Sequence, residues 1–577
     1  MNHLNRMARR NSYRAFLIWC RLDNLHYQML ALLFALVATG AQLTITRAQQ
    51  QRERKVSAPA ASQSPASSGV ASTRTATRAN VVAATDAPKT LAELQTRIAE
   101  VMRQPALAPG VFAVKIVSLD TGRVIFEENA NKLLRPASNM KIYIVSAALD
   151  RLGPEYRFVT SVYAKESPEK SGTVKGDLII YGRGDPSIAA RFNDGDYFKG
   201  IDDLAARVVA AGVKRVKGDL VGDESYFNGA PLGSGWEWED LQWSYGAEVS
   251  ALTVNDNSVD LTVKPGRSAG APCVVTTGPP APFLSISNHT TTTPRGSRSD
   301  LNIYRGLGQN VLEIGGSLPL DDKGFSGSVA VPDPALAFVS MLRGALEKRG
   351  VLISGRTRTV NARSGLSVVP RLLPAPIGGS GAVPSLPPVE ITNLQSPPLS
   401  LIAAQTLKPS QNLYTELILR SLGAITKTSA HQTDEDAGLD AVRNFLRQTG
   451  VDQHELVLND GSGLSRNDMV TAHASVELLT FMSKHRYAGV FRDALPIAGV
   501  DGTLKNRMKG TPAEGNVHAK TGTLSSVASL SGYVTSAAGE RLVFSMMLNN
   551  YAEVGEVRKD SIDAIAVLLA SFAGKSQ

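Results

Sequence analysis

Residues 136–154, PASNMKIYIVSAALDRLGP, read as a helix that begins near Ser138 and is stopped by Gly153-Pro154. Immediately upstream lies a hairpin signature: GVFAVKIVSL (110–119), a turn at Asp120-Thr121-Gly122, then RVIFEE (123–128). A helix over 91–102 precedes the hairpin, with Leu91, Leu94, Ile98 and Val101 on one face. At the far end of the chain HAKTGTL (518–524), ASLSGYVT (528–535) and RLVFSMMLNN (541–550) read as three strands, followed by a final helix over 554–569. Helix, hairpin and helix at one end, with strands and helix at the other, predict one α/β sandwich assembled from both chain ends.

The middle of the chain, 163–391, has a different texture. Short strand-like runs such as GDLIIYG (176–182), VDLTV (259–263), NVLEIGG (310–316) and GSVAV (327–331) are separated by Gly, Asp and Pro. This reads as a large, mainly β insertion of two subdomains. The Pro/Gly-rich stretch RLLPAPIGGSGAVPSLPP (371–388) marks its return to the sandwich.

The 577 residues allow about three to four domains at roughly 150 residues each. The net charge of +9 invites a nucleic-acid reading, but its location removes that reading. Residues 1–55 hold nine basic and two acidic side chains, so the remaining 522 residues carry only +2. No basic groove, and hence no nucleic-acid partner, is expected of the folded body.

The basic leader carries Arg6, Arg9, Arg10, Arg14 and Arg21, then an apolar run over 29–37 and the small residues Ala38, Thr39, Gly40 and Ala41. That order predicts, over 1–48, a secretory signal or, with the apolar run extended through Ile45, an uncleaved membrane anchor. Residues 49–88, rich in Ala, Ser, Thr and Pro, cannot bury enough apolar surface to offset ordering entropy and read as a disordered tether. Export to the periplasm or cell envelope is expected, with attachment to the inner membrane through the N-terminus if the anchor is retained. Cys20 and Cys273 are the two cysteines; a chain cut after the leader keeps one thiol, no internal disulfide and no Cys-rich metal site.

The residues that could carry chemistry form a Ser-Lys set in three segments: Ser138-Asn139-Met140-Lys141, Ser410-Gln411-Asn412 and Lys520-Thr521-Gly522-Thr523. Ser138 and Lys141, three apart at a helix start, share a face. A serine hydroxyl becomes nucleophilic when a neighbouring base takes its proton. An ordinary lysine, with a pKa of about 10.4, is protonated at neutral pH. Burial or a second cation lowers that value, and Lys520 is a candidate second cation. Ser410 and Asn412, two apart in a loop after Pro409, can face one side, for proton relay and substrate hydrogen bonding. Lys520, Thr521, Gly522 and Thr523 on an edge strand would offer a cation, hydroxyls and an open backbone, along which a peptide ending in a carboxylate could lie.

Each short pattern recurs elsewhere, so context selects among them. Ser167-Pro168-Glu169-Lys170 repeats the first spacing, Lys170-Ser171-Gly172 loosely repeats the third, and Ser465-Arg466-Asn467 repeats the second. Ser167 sits in a polar loop with no helix to present it. Ser465 follows the turn-like stretch Asn459-Asp460-Gly461-Ser462-Gly463 and remains an alternative to Ser410. A Ser-His-Asp triad is not marked by any local signature, and no metal-ligand spacing is found.

The three segments in this order resemble the set shared by penicillin-binding proteins and serine β-lactamases. The chain further resembles the D-alanyl-D-alanine carboxypeptidase/endopeptidase family of class C low-molecular-mass penicillin-binding proteins, the S13 peptidases. The supporting stretches are Tyr181-Gly182-Arg183-Gly184-Asp185-Pro186, the run YGAEVSALTVNDN (245–257) and Asp460-Gly461-Ser462-Gly463-Leu464-Ser465-Arg466. The 272 positions between Ser138 and Ser410 match the family's long insertion.

The resemblance implies a transpeptidase-like catalytic domain in two parts, 89–162 and 392–577, interrupted by inserted β-rich domains over 163–391. It implies removal of the terminal D-alanine from peptidoglycan stem peptides ending in D-Ala-D-Ala, cleavage of D-alanyl crosslinks, and covalent inhibition by β-lactams, without a cofactor or metal. Ser138 would be the acylated nucleophile, Lys141 its base and Ser410 the proton relay; Asn412 and Lys520 would bind and polarise substrate. The backbone N–H groups of Ser138 and Thr523 would form the oxyanion hole. Gln411 stands where the family more often has an acidic residue, at a position expected to point away from the site. A β-lactamase shares the first chemical step but needs fast deacylation. A non-enzymatic penicillin sensor would keep the fold without turnover.

Overall fold

The computed structural model describes residues 87–279, 283–364, 388–429, 431–552 and 557–577. The leader, and nearly all of the tether, lie outside the described residues. Among the described residues no helix is long and apolar enough to cross a membrane.

The sandwich is built around a five-stranded sheet. Its order is His518–Leu524, Val527–Thr535, Arg541–Asn549, Val111–Ser118 and Val124–Glu128, antiparallel throughout. The first and last strands of the chain's sandwich thus meet side by side, Val111–Ser118 against Arg541–Asn549. Alternation along the strand explains how both faces are buried. Phe112, Val114 and Ile116 pack on one side with Leu94 and Ile98 of the helix Leu91–Met102 and Ile565 and Leu569 of the helix Val557–Ser571. Ala113 and Val117 face the other side, where the helix Met140–Leu152 lies. Every residue of that helix from Met140 to Leu149 is buried. It packs among the helices Leu399–Leu407, Asn412–Thr426, Asp434–Gln448 and Ala472–Lys484.

The middle region holds two further cores. One surrounds a five-stranded sheet in the order Thr357–Val360, Leu220–Asp223, Leu178–Tyr181, Val159–Ala164 and Val389–Gln395. The other is mainly β, with two three-stranded sheets enclosing Leu261, Leu312, Ile314 and Val329. The region is rich in β-strand, and it also contains two helices, Lys199–Ala210 and Pro334–Lys348. The first buries Ile201, Leu204, Ala205 and Val208, an i, i+3, i+4, i+7 helical pattern set among the short strands. The outermost pair of the first sheet, Val159–Ala164 with Val389–Gln395, brings together the chain's entry to and exit from this region.

Candidate active site

The sequence predicts a helix from near Ser138. The α-helix starts at Met140, and Ser138 lies in a preceding 3-10 turn, Ala137–Asn139. Ala137 has φ 46°, a left-handed conformation costing about 1–3 kcal/mol for a side-chain-bearing residue, and it opens the turn that carries Ser138 into the helix. The turn is pinned from the neighbouring strand: Ser529 Oγ donates to the Pro136 carbonyl (2.7 Å) and Asn139 Nδ2 donates to Ser531 Oγ (3.3 Å). Gly522 faces the same place. A Cβ there would lie 2.2 Å from Ser529 Oγ and 2.5 Å from the Pro136 oxygen, so only glycine lets the strand approach the turn.

Lys141, fully buried, is the hub. Its Nζ lies 2.9 Å from Ser138 Oγ, 2.7 Å from Asn412 Oδ1 and 2.7 Å from the Ser462 carbonyl oxygen. Burial lowers its pKa to about 7, against the opposing pull of Asp460, Glu416 and Asp468. Asn412 Nδ2 donates to the Tyr245 carbonyl (2.8 Å), and since a carbonyl can only accept, this bond turns the amide oxygen toward Lys141. Two of the three partners of Lys141 are therefore pure acceptors. In the neutral amine they take both N–H groups, and the lone pair is left to face the Ser138 hydroxyl.

Lys520 is also fully buried, and its Nζ donates to Ser410 Oγ (2.8 Å) and the Thr521 carbonyl (2.8 Å). Burial, and then the Lys141 charge, holds its pKa well below the usual lysine value. Ser410 itself has φ 65°, and Asn412 opens the helix Asn412–Thr426 rather than lying in a loop. Gln411 caps that helix, its side-chain oxygen accepting from Leu413 N–H (3.1 Å). Thr521 Oγ1 donates to Thr503 Oγ1 (2.7 Å). Thr523 is exposed near the end of the His518–Leu524 strand, which is an edge of the sheet.

All three predicted segments thus converge. Ser138, Lys141 and Asn412 share one hydrogen-bond cluster; Lys520 and Ser410 form a second pair beside it, close enough for Lys520 to feel the Lys141 charge. The alternatives do not converge in this way. Ser167 and Lys170 are exposed in a loop. Ser465 is buried; its backbone N–H donates to Asp460 Oδ2 (3.1 Å) and its hydroxyl accepts from Asn467 N–H (3.3 Å).

Several participants were not singled out for a role in the sequence. Tyr245, from the middle region, contributes its carbonyl. The 460–466 loop contributes the Ser462 carbonyl, and Gly463 (φ 77°) lets that loop sit against the Ala137–Asn139 turn, where a Cβ would be 1.9 Å from the Ala137 oxygen. Among the described residues no group of three or more His, Cys, Asp or Glu side chains is arranged to hold a metal ion.

A half-buried serine paired with a fully buried lysine at the start of a helix packed on such a sandwich is the arrangement of the penicillin-recognising class of serine enzymes. The sequence profile of the D-Ala-D-Ala carboxypeptidase 3 (S13) family matches residues 94–378 and 379–572. The chain belongs to that family. The D-alanyl-D-alanine carboxypeptidase of Actinomadura sp. (strain R39) is 36% identical over 84% of this chain and 86% of its own length. The D-alanyl-D-alanine carboxypeptidase DacB of Haemophilus influenzae is 25% identical over 75% of this chain and 84% of its own. In fold, the crystal structure of penicillin binding protein 4 (dacB) from Haemophilus influenzae superposes with a TM-score of 0.67, at 23% identity, covering 82% of this chain and 97% of that one.

Proposed function

We propose that the chain is a serine D-alanyl-D-alanine carboxypeptidase whose nucleophile is Ser138, and that it also cleaves D-alanyl crosslinks by the same route. The observation that carries this is the Lys141 triangle, with two obligate acceptors leaving the third direction for Ser138 Oγ at 2.9 Å.

In acylation Ser138 Oγ bonds to the carbonyl carbon of the penultimate D-alanine as its proton passes to Lys141 Nζ. The oxyanion forms at the N-terminal end of the helix, facing the backbone N–H groups of Ser138 and Thr523. The carbon–nitrogen bond then breaks, and the departing amine takes the proton that Lys141 accepted, relayed through Ser410, which Lys520 holds at 2.8 Å, so that Lys141 returns to the neutral amine. Water, deprotonated by Lys141, attacks the ester, and the Ser138 oxygen leaves with that proton. With a free D-alanine as leaving group the reaction is a carboxypeptidase step; with a crosslinked stem peptide it is an endopeptidase step. Lys520, Thr521, Gly522 and Thr523 offer the terminal carboxylate a cation and a strand edge.

A β-lactam would acylate Ser138 but retain its leaving group in the ring-opened product, which slows water attack. The catalytic unit is assembled from 89–162 and 392–577, with the inserted region entered and left through its paired strands. Such a substrate places the enzyme in the cell envelope, delivered by the basic leader, with attachment to the inner membrane through that leader as the finer proposal. Release of D-alanine from a stem-peptide analogue, present in the wild type and absent in Ser138→Ala, tests the reading.

A further inference from the structure

The acceptors that aim Lys141 are both set from one helix. Asn412 opens the helix Asn412–Thr426 and contacts Lys141 directly. One turn on, at i+4 and so on the same face, stands Glu416, fully buried. Its Oε1 accepts from the backbone N–H groups of Gly461 (2.9 Å) and Ser462 (2.8 Å). Asp460 takes the next N–H groups of the loop, Gly463 through Oδ1 (2.7 Å) and Ser465 through Oδ2 (3.1 Å). With these donors drawn to carboxylates, the Ser462 carbonyl is the group presented to Lys141 Nζ at 2.7 Å.

We propose that Glu416 is a positioning residue for acylation: through the Gly461 and Ser462 N–H groups it fixes the Ser462 carbonyl, and so the direction of the Lys141 lone pair. The inference rests on reading Lys141 as the base toward Ser138.

The required property is the reach of an acceptor rather than a negative charge. The groups that face Glu416 are Asp460, Glu435, Arg420 and Lys141. Burial, then Asp460 and Glu435, push its carboxyl well above the usual range, while Arg420 and the Gly461 N–H oppose them. Its second oxygen, Oε2, has no hydrogen-bond partner among the described residues. A buried carboxyl with one oxygen accepting two N–H bonds and the other without a partner acts here as an acceptor, a role that the oxygen of a glutamine amide can also fill.

Two conservative variants separate reach from charge. Glu416→Gln keeps the reach and removes the charge, whereas Glu416→Asp keeps the carboxyl and withdraws it by about 1.5 Å. Acylation of the purified full chain by a fluorescent penicillin is followed in stopped flow from pH 5 to 9, with rates expressed per active site and saturation separating the acylation constant from initial binding. The expected result is a Gln variant within about threefold of wild type at its plateau, with a pH midpoint no higher than that of wild type, since the Glu416 charge acts to raise the Lys141 pKa. The Asp variant is expected to be slowed roughly 10- to 10²-fold in the acylation constant, with initial binding unchanged, as an ångström-scale misplacement would produce. An Asp variant as fast as wild type, or a Gln variant as slow as Asp, overturns the proposal. A fall in active-site content or melting temperature alone, with rates per site unchanged, assigns Glu416 a merely structural role and also overturns it. Wild type that is not acylated at all defeats the functional reading instead, so the two failures are distinguishable.

Discussion

Asn412 and Lys141 are joined by a 2.7 Å hydrogen bond whose direction is dictated from outside the sandwich, because the Asn412 amide nitrogen is spoken for by the Tyr245 carbonyl. The middle region therefore has a hand in the orientation of the base. An aspartate at 412 tests this. Asn412→Asp removes the donor to Tyr245 and places a negative charge beside the ammonium, which raises a lysine pKa by about 1–3 units. The rise of acylation with pH should move up by that amount, and the rate at pH 7 should fall by roughly 10- to 10³-fold. A pH profile of penicillin acylation measures both.

The wild-type profile has its own sign. On the proposed route Lys141, lowered to about 7 by burial, accepts the proton, so the competent form is the neutral amine that accumulates as pH rises. Acylation should climb through a midpoint near 7 and fall about tenfold per unit below it. A midpoint near 10 in stopped-flow acylation would show an ordinary, solvated lysine.

Gly463→Ala should damage the site more than the fold. Its φ of 77° and the Ala137 oxygen 1.9 Å from a would-be Cβ force the loop away from the nucleophile turn. Overpacking of this kind costs about 1–3 kcal/mol, visible as a lowered melting temperature. The same displacement carries the Ser462 carbonyl off Lys141, so acylation per folded molecule should fall by roughly 10²-fold.

Lys520→Met should remove the preference for a free terminal carboxylate. Hydrogen bonds to charged groups contribute about 1.5–3 kcal/mol, so the advantage of a D-Ala-D-Ala acid over its amide should shrink about 10- to 150-fold. Competition of the two peptides against a fluorescent penicillin reads this ratio.

Much of this arrangement is legible in the sequence. The helix 91–102, the hairpin and the three C-terminal strands carry their periodicity and turn residues openly, and the three Ser-Lys segments stand in the right elements. The first turn of the helix carrying Lys141 is less legible: Ala137 is left-handed, and the partners of the flanking Pro136 and Asn139 are Ser529 and Ser531, strand residues hundreds of positions away. Asn412 read as a loop residue because Pro409 precedes it, although Gln411 caps a helix there. Main-chain participants have no sequence signature at all, so the carbonyls of Tyr245 and Ser462 are invisible until the chain is folded. Glu416 did carry a signal, four residues beyond Asn412 on the same helix face.

The account stands on Ser138 being the group that takes the acyl chain. Intact-mass measurement of the full chain after benzylpenicillin treatment, followed by peptide mapping, tests it directly. One penicilloyl adduct per molecule, confined to the peptide containing Ser138 and lost in Ser138→Ala, is the expected result. An adduct on Ser410, Ser465 or another residue, or labelling that survives Ser138→Ala, would contradict it.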